Sequence, residues 1–169
     1  RSTSDRIMFE ITLKTCISLD NYYRGGVDLL DVVKAIEKKI DAISPSIVYT
    51  HFPEDLNVDH RIVSRAVMTA CRPVPRQLVR EIYFFDVLSS TEWGTGARAF
   101  QPNVFVPLTG GKGGNYLDAK LRALAFYETE MRAFPHARSL ETVKALVALR
   151  GSNIGESAAE AFEAARVVR

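Results

Sequence analysis

The ten residues from His51 to His60 hold two of the chain's three histidines, three carboxylates (Glu54, Asp55 and Asp59) and Asn57. Imidazoles beside carboxylates can hold a divalent cation or relay a proton. His60 reads as a metal ligand, with Asp59 orienting it or a neighbour. The more ordinary reading is a first-turn helix histidine bound to solvent or a cap. A catalytic zinc takes three protein ligands, and the chain has no His-x-x-x-His pair and no cysteine near His60. His51, nine residues upstream at the strand end, is a candidate for contact in the same cleft, although a solitary polar loop histidine is more often structural. Asp55, Asn57 and Asp59 alternate with Leu56 and Val58, which puts three oxygen-bearing side chains on one side of an extended loop. A calcium loop is excluded, because the sixth position is not Gly and the twelfth is not Glu.

Two further clusters carry polar and aromatic groups. Ser89, Ser90, Thr91, Glu92 and Trp93 combine hydroxyls, a carboxylate and an indole. That mixture suits a sugar-like ligand and also suits a capped turn with a packing Trp. No glycine flanks the serines, so a nucleophile elbow is not indicated. Phe134 to Arg138 puts His136 and Arg138 in a helix-breaking loop, fit for an anion or sugar contact or for plain surface. The glycine-rich run 109–114 carries Lys112 followed by Gly113. A phosphate loop needs Ser or Thr there, so a connector is expected.

Positioning these groups requires strands that end at them. Residues 46–50 form an apolar β-rich run leading into His51. Residues 81–86 give a second strand, and residues 103–107 a third, with Pro107 favouring a sheet edge. A short strand is expected over 14–19, after the tail of a helix over 6–13. Asp28 caps a helix whose Leu29, Val33, Ile36, Ile40 and Ile43 recur at helical spacing, and Ser44 with Pro45 ends it. A helix from about Asp59 buries Ile62, Val63, Ala66, Val67 and Ala70. Helices are also expected over 116–133, 141–150 and, in an Ala-rich stretch, 156–168. Alternating strands and helices imply an α/β sheet with helices on both faces, and a mainly helical last third.

At 169 residues a single domain is expected. An apolar share of 47% suffices for a core, and a net charge of +2 does not indicate a nucleic-acid partner. No apolar run is long enough to span a bilayer, and no secretion signal is visible. Cys16 and Cys71 are far apart in apolar settings. A reduced, cytoplasmic protein with packed thiols is therefore expected. The chain opens at Arg1 without Met, so an N-terminal portion is expected to be missing and residues 1–14 are a poorly defined start. No Gly-x-Gly-x-x-Gly occurs, which argues against a dinucleotide binder.

Taken together, residues 47–51 and 55–61 resemble the second metal motif of the LmbE-like family, also called the GlcNAc-phosphatidylinositol de-N-acetylases. The likeness continues through 81–83, 89–93, 102–106, 134–139 and 149–155. The resemblance implies a Rossmann-like three-layer α/β/α fold and a zinc-dependent enzyme that removes acetyl from an N-acetylglucosamine-type conjugate. It implies that His60 is a zinc ligand, with an early His-Pro-Asp-Asp motif supplying two more ligands and the general base. That motif is absent from the 169 residues. The resemblance also implies that Asp59 is the carboxylate before the zinc histidine. Asn57 stands where a carbonyl-polarising His is common, and an amide can donate a hydrogen bond but cannot carry a proton. His51, Glu92, Trp93, His136 and Arg138 become candidates for the substrate rim. The expected partners are an N-acetylated amino sugar and, since such domains commonly associate, a second copy. The alternative is a non-catalytic carbohydrate-binding or assembly protein on the same scaffold.

Overall fold

The computed structural model describes residues 28–109 and 115–169. The elements expected over 6–13 and 14–19, Cys16, and the connector beyond Thr109 lie outside them. The described elements run α1 (Leu29–Ile43), β1 (Ile47–His51), α2 (Val58–Ala70), β2 (Glu81–Phe85), β3 (Val104–Pro107), α3 (Tyr116–Ala125), α4 (Leu140–Ser152) and β4 (Ala159–Val167).

Local chemistry accounts for most of the boundaries. Asp28 caps α1 with a reciprocal bond to Asp31, satisfying amides that the first turn leaves free. Ser44 ends the helix in the left-handed region, at φ 53°. Val32, Val33, Ile36 and Ile40 face inward at helical spacing. They pack with Val63, Ala66, Val67 and Ala70 of α2, with Val48 of β1 and with Ile82 of β2. Cys71 is a free, buried thiol in the same cluster. A smaller cluster joins Leu108, Val147 and Ala158, with Leu117 against it.

The four strands lie in the order β1-β2-β4-β3. β1 and β2 are parallel, with His51 opposite Phe85 at their C-terminal ends. This parallel pair, joined through α2, sets the loop after β1 beside the loop after β2, where ligands gather in α/β sheets. Among the described strands β3 is outermost beside β4, and Pro107 is its last residue.

Two expectations fail in the last third. Residues 156–168 are not a helix: most of them form β4, antiparallel to both β2 and β3. The intrinsic preference of Ala and Glu for helix is weak, and tertiary context overrides it. The slot between β2 and β3 needs small inward residues, which Ala159 and Ala161 supply, while Phe162 packs on Tyr49 at 5.0 Å on the other face. The helix expected over 116–133 stops at Ala125; none of its residues is buried, so no core contact extends it. The protein is thus a mixed α/β domain whose C-terminal part is not mainly helical.

Candidate functional site

The site forms where the loop after β1 meets the turn after β2. Asp55 is its centre. Asp55 N donates to Phe52 O at 3.2 Å, which turns the chain inward directly after the strand. Arg61 fixes the loop from the helix side, donating to the carbonyls of Asp55 and Leu56 at 2.7 and 2.8 Å. Leu56 N donates across to Ser90 O at 3.3 Å. Gly94 keeps the loops close, since a Cβ there would lie 2.8 Å from Glu54 O.

The Asp55 side chain is fully buried. Its Oδ1 accepts from Asn57 N at 2.8 Å, from His60 Nδ1 at 3.1 Å and from the Ser90 hydroxyl. Its Oδ2 accepts from the Thr91 hydroxyl at 2.6 Å. Burial pushes this carboxyl upward, but the bonds from His60, Ser90, Thr91 and Asn57 N outweigh it and hold the group well below the usual carboxylate range. Asp55 is therefore an anion that can only accept. It follows that His60 Nδ1 carries a proton toward Asp55, and in the neutral imidazole the lone pair is then on Nε2. The His60 side chain is 20% exposed.

His51 stacks on His60 with ring centroids 4.1 Å apart and planes 14° apart. Burial, with His60 adding to it and Asp55 opposing, lowers the His51 pKa to about 4. His51 is thus a neutral imidazole near pH 7, and its Nδ1 is buried without a partner among the described residues.

The remaining candidates fall into two groups. Asn57 is the N-cap of α2, its side-chain oxygen accepting from Asp59 N at 2.9 Å. Asp59 lies in the first turn with Oδ1 buried and unpartnered among the described residues. It does not contact the His60 ring through any described hydrogen bond; the carboxylate that does is Asp55, five residues before the histidine. Glu92 accepts from the amides of Ser89 and Ser90 and closes the turn after β2. Trp93, 49% exposed, meets His136 edge-on at 6.1 Å. Arg138 donates to the Ser89 hydroxyl and pairs with Glu130. Glu92, Trp93, His136 and Arg138 therefore share one rim, built where the 134–138 loop leans on the turn after β2.

The sequence did not reveal Asp55 and Ser90 as partners of His60, nor Thr91 as a partner of Asp55. The available signal was a carboxylate within one loop of the histidine, but that loop offers three. Among the described residues, Ser90 is not set up as a nucleophile. Ser90 is buried and lies 3.3 Å from the same His60 nitrogen that faces Asp55, whereas a triad sets serine and carboxylate on opposite ring nitrogens.

The donor chemistry fits part of a zinc centre. A histidine whose Nδ1–H is held by a carboxylate, with Nε2 open, is the usual form of a zinc-binding imidazole. The described residues contain no group of three His, Cys, Asp or Glu able to hold a metal. Further ligands would come from outside them.

The fold and this site define a mixed α/β domain with a carboxylate-supported histidine at the C-terminal ends of a parallel strand pair. No known family model matches the chain, and no curated protein matches it. Among solved structures it is similar to TT1542, a conserved protein of Thermus thermophilus, at 19% identity and a TM-score of 0.59. The match covers 82% of this chain and 60% of that one, so the chain spans less than two thirds of that protein's length. At this identity the likeness shows the fold alone. No helix among the described residues is long and apolar enough to cross a membrane.

Proposed function

We propose that this chain belongs to a Rossmann-like, zinc-dependent N-deacetylase acting on an N-acetylated amino sugar. The observation that carries the reading is the buried Asp55 carboxylate bonded to His60 Nδ1, which makes Nε2 the ring nitrogen available to a metal. The resemblance of residues 47–51 and 55–61 to a deacetylase metal motif supplies the class of reaction.

The roles of the residues follow from their positions. His60 offers Nε2 to the metal, and Asp55 fixes the ring. Asn57 has its oxygen taken by the helix cap, so its NH2 is the part free to stabilise a developing oxyanion, a task worth about 3 kcal/mol for one good donor. His51, neutral and stacked on His60, shields the ring from water. Trp93, His136 and Arg138 present an indole, an imidazole and a guanidinium to a sugar. Zinc, when bound, lowers the pKa of a water toward 7 and polarises the acetyl carbonyl. On this reading the general base and remaining ligands would have to come from outside the described residues.

The test uses the full natural gene product. Bound zinc and acetate release from N-acetylglucosamine conjugates are measured for wild type and His60→Ala. Loss of both in the variant supports the reading. Zinc content and deacetylation that survive His60→Ala refute it. A wild type that binds the sugar without zinc and without hydrolysis establishes the non-catalytic alternative.

A further inference from the structure

We propose that Thr91 is the positioning residue of this centre, its hydroxyl holding the Asp55 carboxylate in the orientation that fixes the His60 ring and leaves Nε2 open. The inference rests on the zinc reading above and deepens it.

The direction of the Thr91 hydroxyl is not free. Val87 N lies 2.7 Å from Thr91 Oγ1, and an amide can only donate. The hydroxyl proton must go elsewhere, and Asp55 Oδ2 is 2.6 Å away. The residue is pinned a second time by Thr91 N, which donates to Val87 O at 2.9 Å. Thr91 therefore closes its own turn and spends its single proton on Asp55.

The two oxygens of Asp55 are unequally served. Oδ1 accepts from Asn57 N, His60 Nδ1 and Ser90, whereas Oδ2 accepts from Thr91. Removing the Thr91 hydroxyl leaves Oδ2 buried with no donor, so the carboxylate gains by rotating toward the donors on its other side. Rotation moves Oδ1 away from His60 Nδ1. Ser90 then becomes a competitor, because its hydroxyl is 3.3 Å from that nitrogen and can donate to it as well as accept. The ring then no longer holds a single tautomer. Ser89, in the left-handed region at φ 68°, turns its own hydroxyl outward to Arg138, so consecutive hydroxyls of one turn serve the rim and the buried carboxylate separately.

Thr91→Val keeps the shape and removes the hydroxyl; Thr91→Ser keeps the hydroxyl. Both are made in the full natural protein. Zinc affinity is measured by competition with a chromophoric chelator, and the His60 tautomer by long-range proton–nitrogen NMR of the zinc-free protein. Thr91→Val is expected to bind zinc about 10–100-fold more weakly and to show mixed ring tautomers. Thr91→Ser is expected to stay within about threefold of wild type and to keep Nδ1–H. Wild-type affinity and an unchanged tautomer in Thr91→Val overturn the proposal. So does a Thr91→Ser as weak as Thr91→Val, because the hydroxyl would then not be the cause. If Thr91→Val fails to fold, Thr91→Ala removes the same hydroxyl and is read in the same way. His60→Ala with wild-type zinc affinity overturns the metal reading and this proposal together, whereas His60-dependent binding insensitive to Thr91 overturns this proposal alone.

Discussion

Asp55 concentrates the energetics of the site in one side chain. It is an anion out of contact with water, and it survives there because four donors surround it. Hydrogen bonds to a charged group contribute about 1.5–3 kcal/mol each, and an unsatisfied buried partner costs a similar amount. Asp55→Asn replaces an acceptor with an NH2 that must face Thr91 or His60, both of which are donating. The variant is expected to lose about 2–3 kcal/mol of stability in urea denaturation, more than Asp59→Asn, whose side chain accepts no described bond. The histidine was legible in the sequence as a candidate ligand. Its supporting carboxylate was not, because adjacency points to Asp59 and only the tight turn at Phe52 swings Asp55 inward. The hydroxyls of Ser90 and Thr91 arrive from beyond a strand more than thirty residues away, which no local pattern reports.

At the scale of elements, the contact between α4 and the sheet decides how the end of β2 is held. Arg150 of α4 donates to Asp86, just past β2, at 3.0 Å. Burial pushes the Asp86 carboxyl up, and the Arg150 guanidinium pulls it back only in part. A carboxyl raised in the folded state subtracts stability as pH rises through its ordinary value of 3.8. Arg150→Ala removes the opposing charge and raises the group further. Its stability is expected to fall by about 1–2 kcal/mol between pH 3 and pH 7 relative to wild type, read by thermal unfolding across that range; a flat difference would contradict it. Gly151, the next residue, lets the helix approach the start of β4, since a Cβ there would meet Ala158 N and Glu156 O at 2.6 Å. Those atoms are backbone and cannot step aside. Gly151→Ala is expected to lose about 1–3 kcal/mol by overpacking, despite the better helix propensity of Ala; an unchanged or raised melting temperature would contradict it. The cap of α1 and the strand runs of β1 and β2 were readable because short, local residue patterns settle each. β4 was not, because an Ala- and Glu-rich stretch becomes a strand only through the partners on either side.

For the whole molecule, the parallel pair β1 and β2 is the frame on which the two site loops hang, and Ile82 is its fully buried centre. Ile82→Ala is expected to cost about 3 kcal/mol and to lower zinc affinity only in step with unfolding. A selective loss of zinc at full stability would show that the site depends on more than the frame. Alternation of strands and helices announced a mixed α/β class, and the likeness to TT1542 shows that fold again in a chain of which this one spans 60%. The strand order was not legible, since the order β1-β2-β4-β3 returns the last strand of the sequence to the interior of the sheet.

Zinc-edge X-ray absorption on the full natural protein, wild type against His60→Ala, addresses the ligand role of His60 with the fewest intervening assumptions. The wild type is expected to show imidazole nitrogen at about 2.0 Å from zinc, and the variant to lose one ring's scattering or the metal altogether. Identical spectra from fully loaded samples of both would contradict the account.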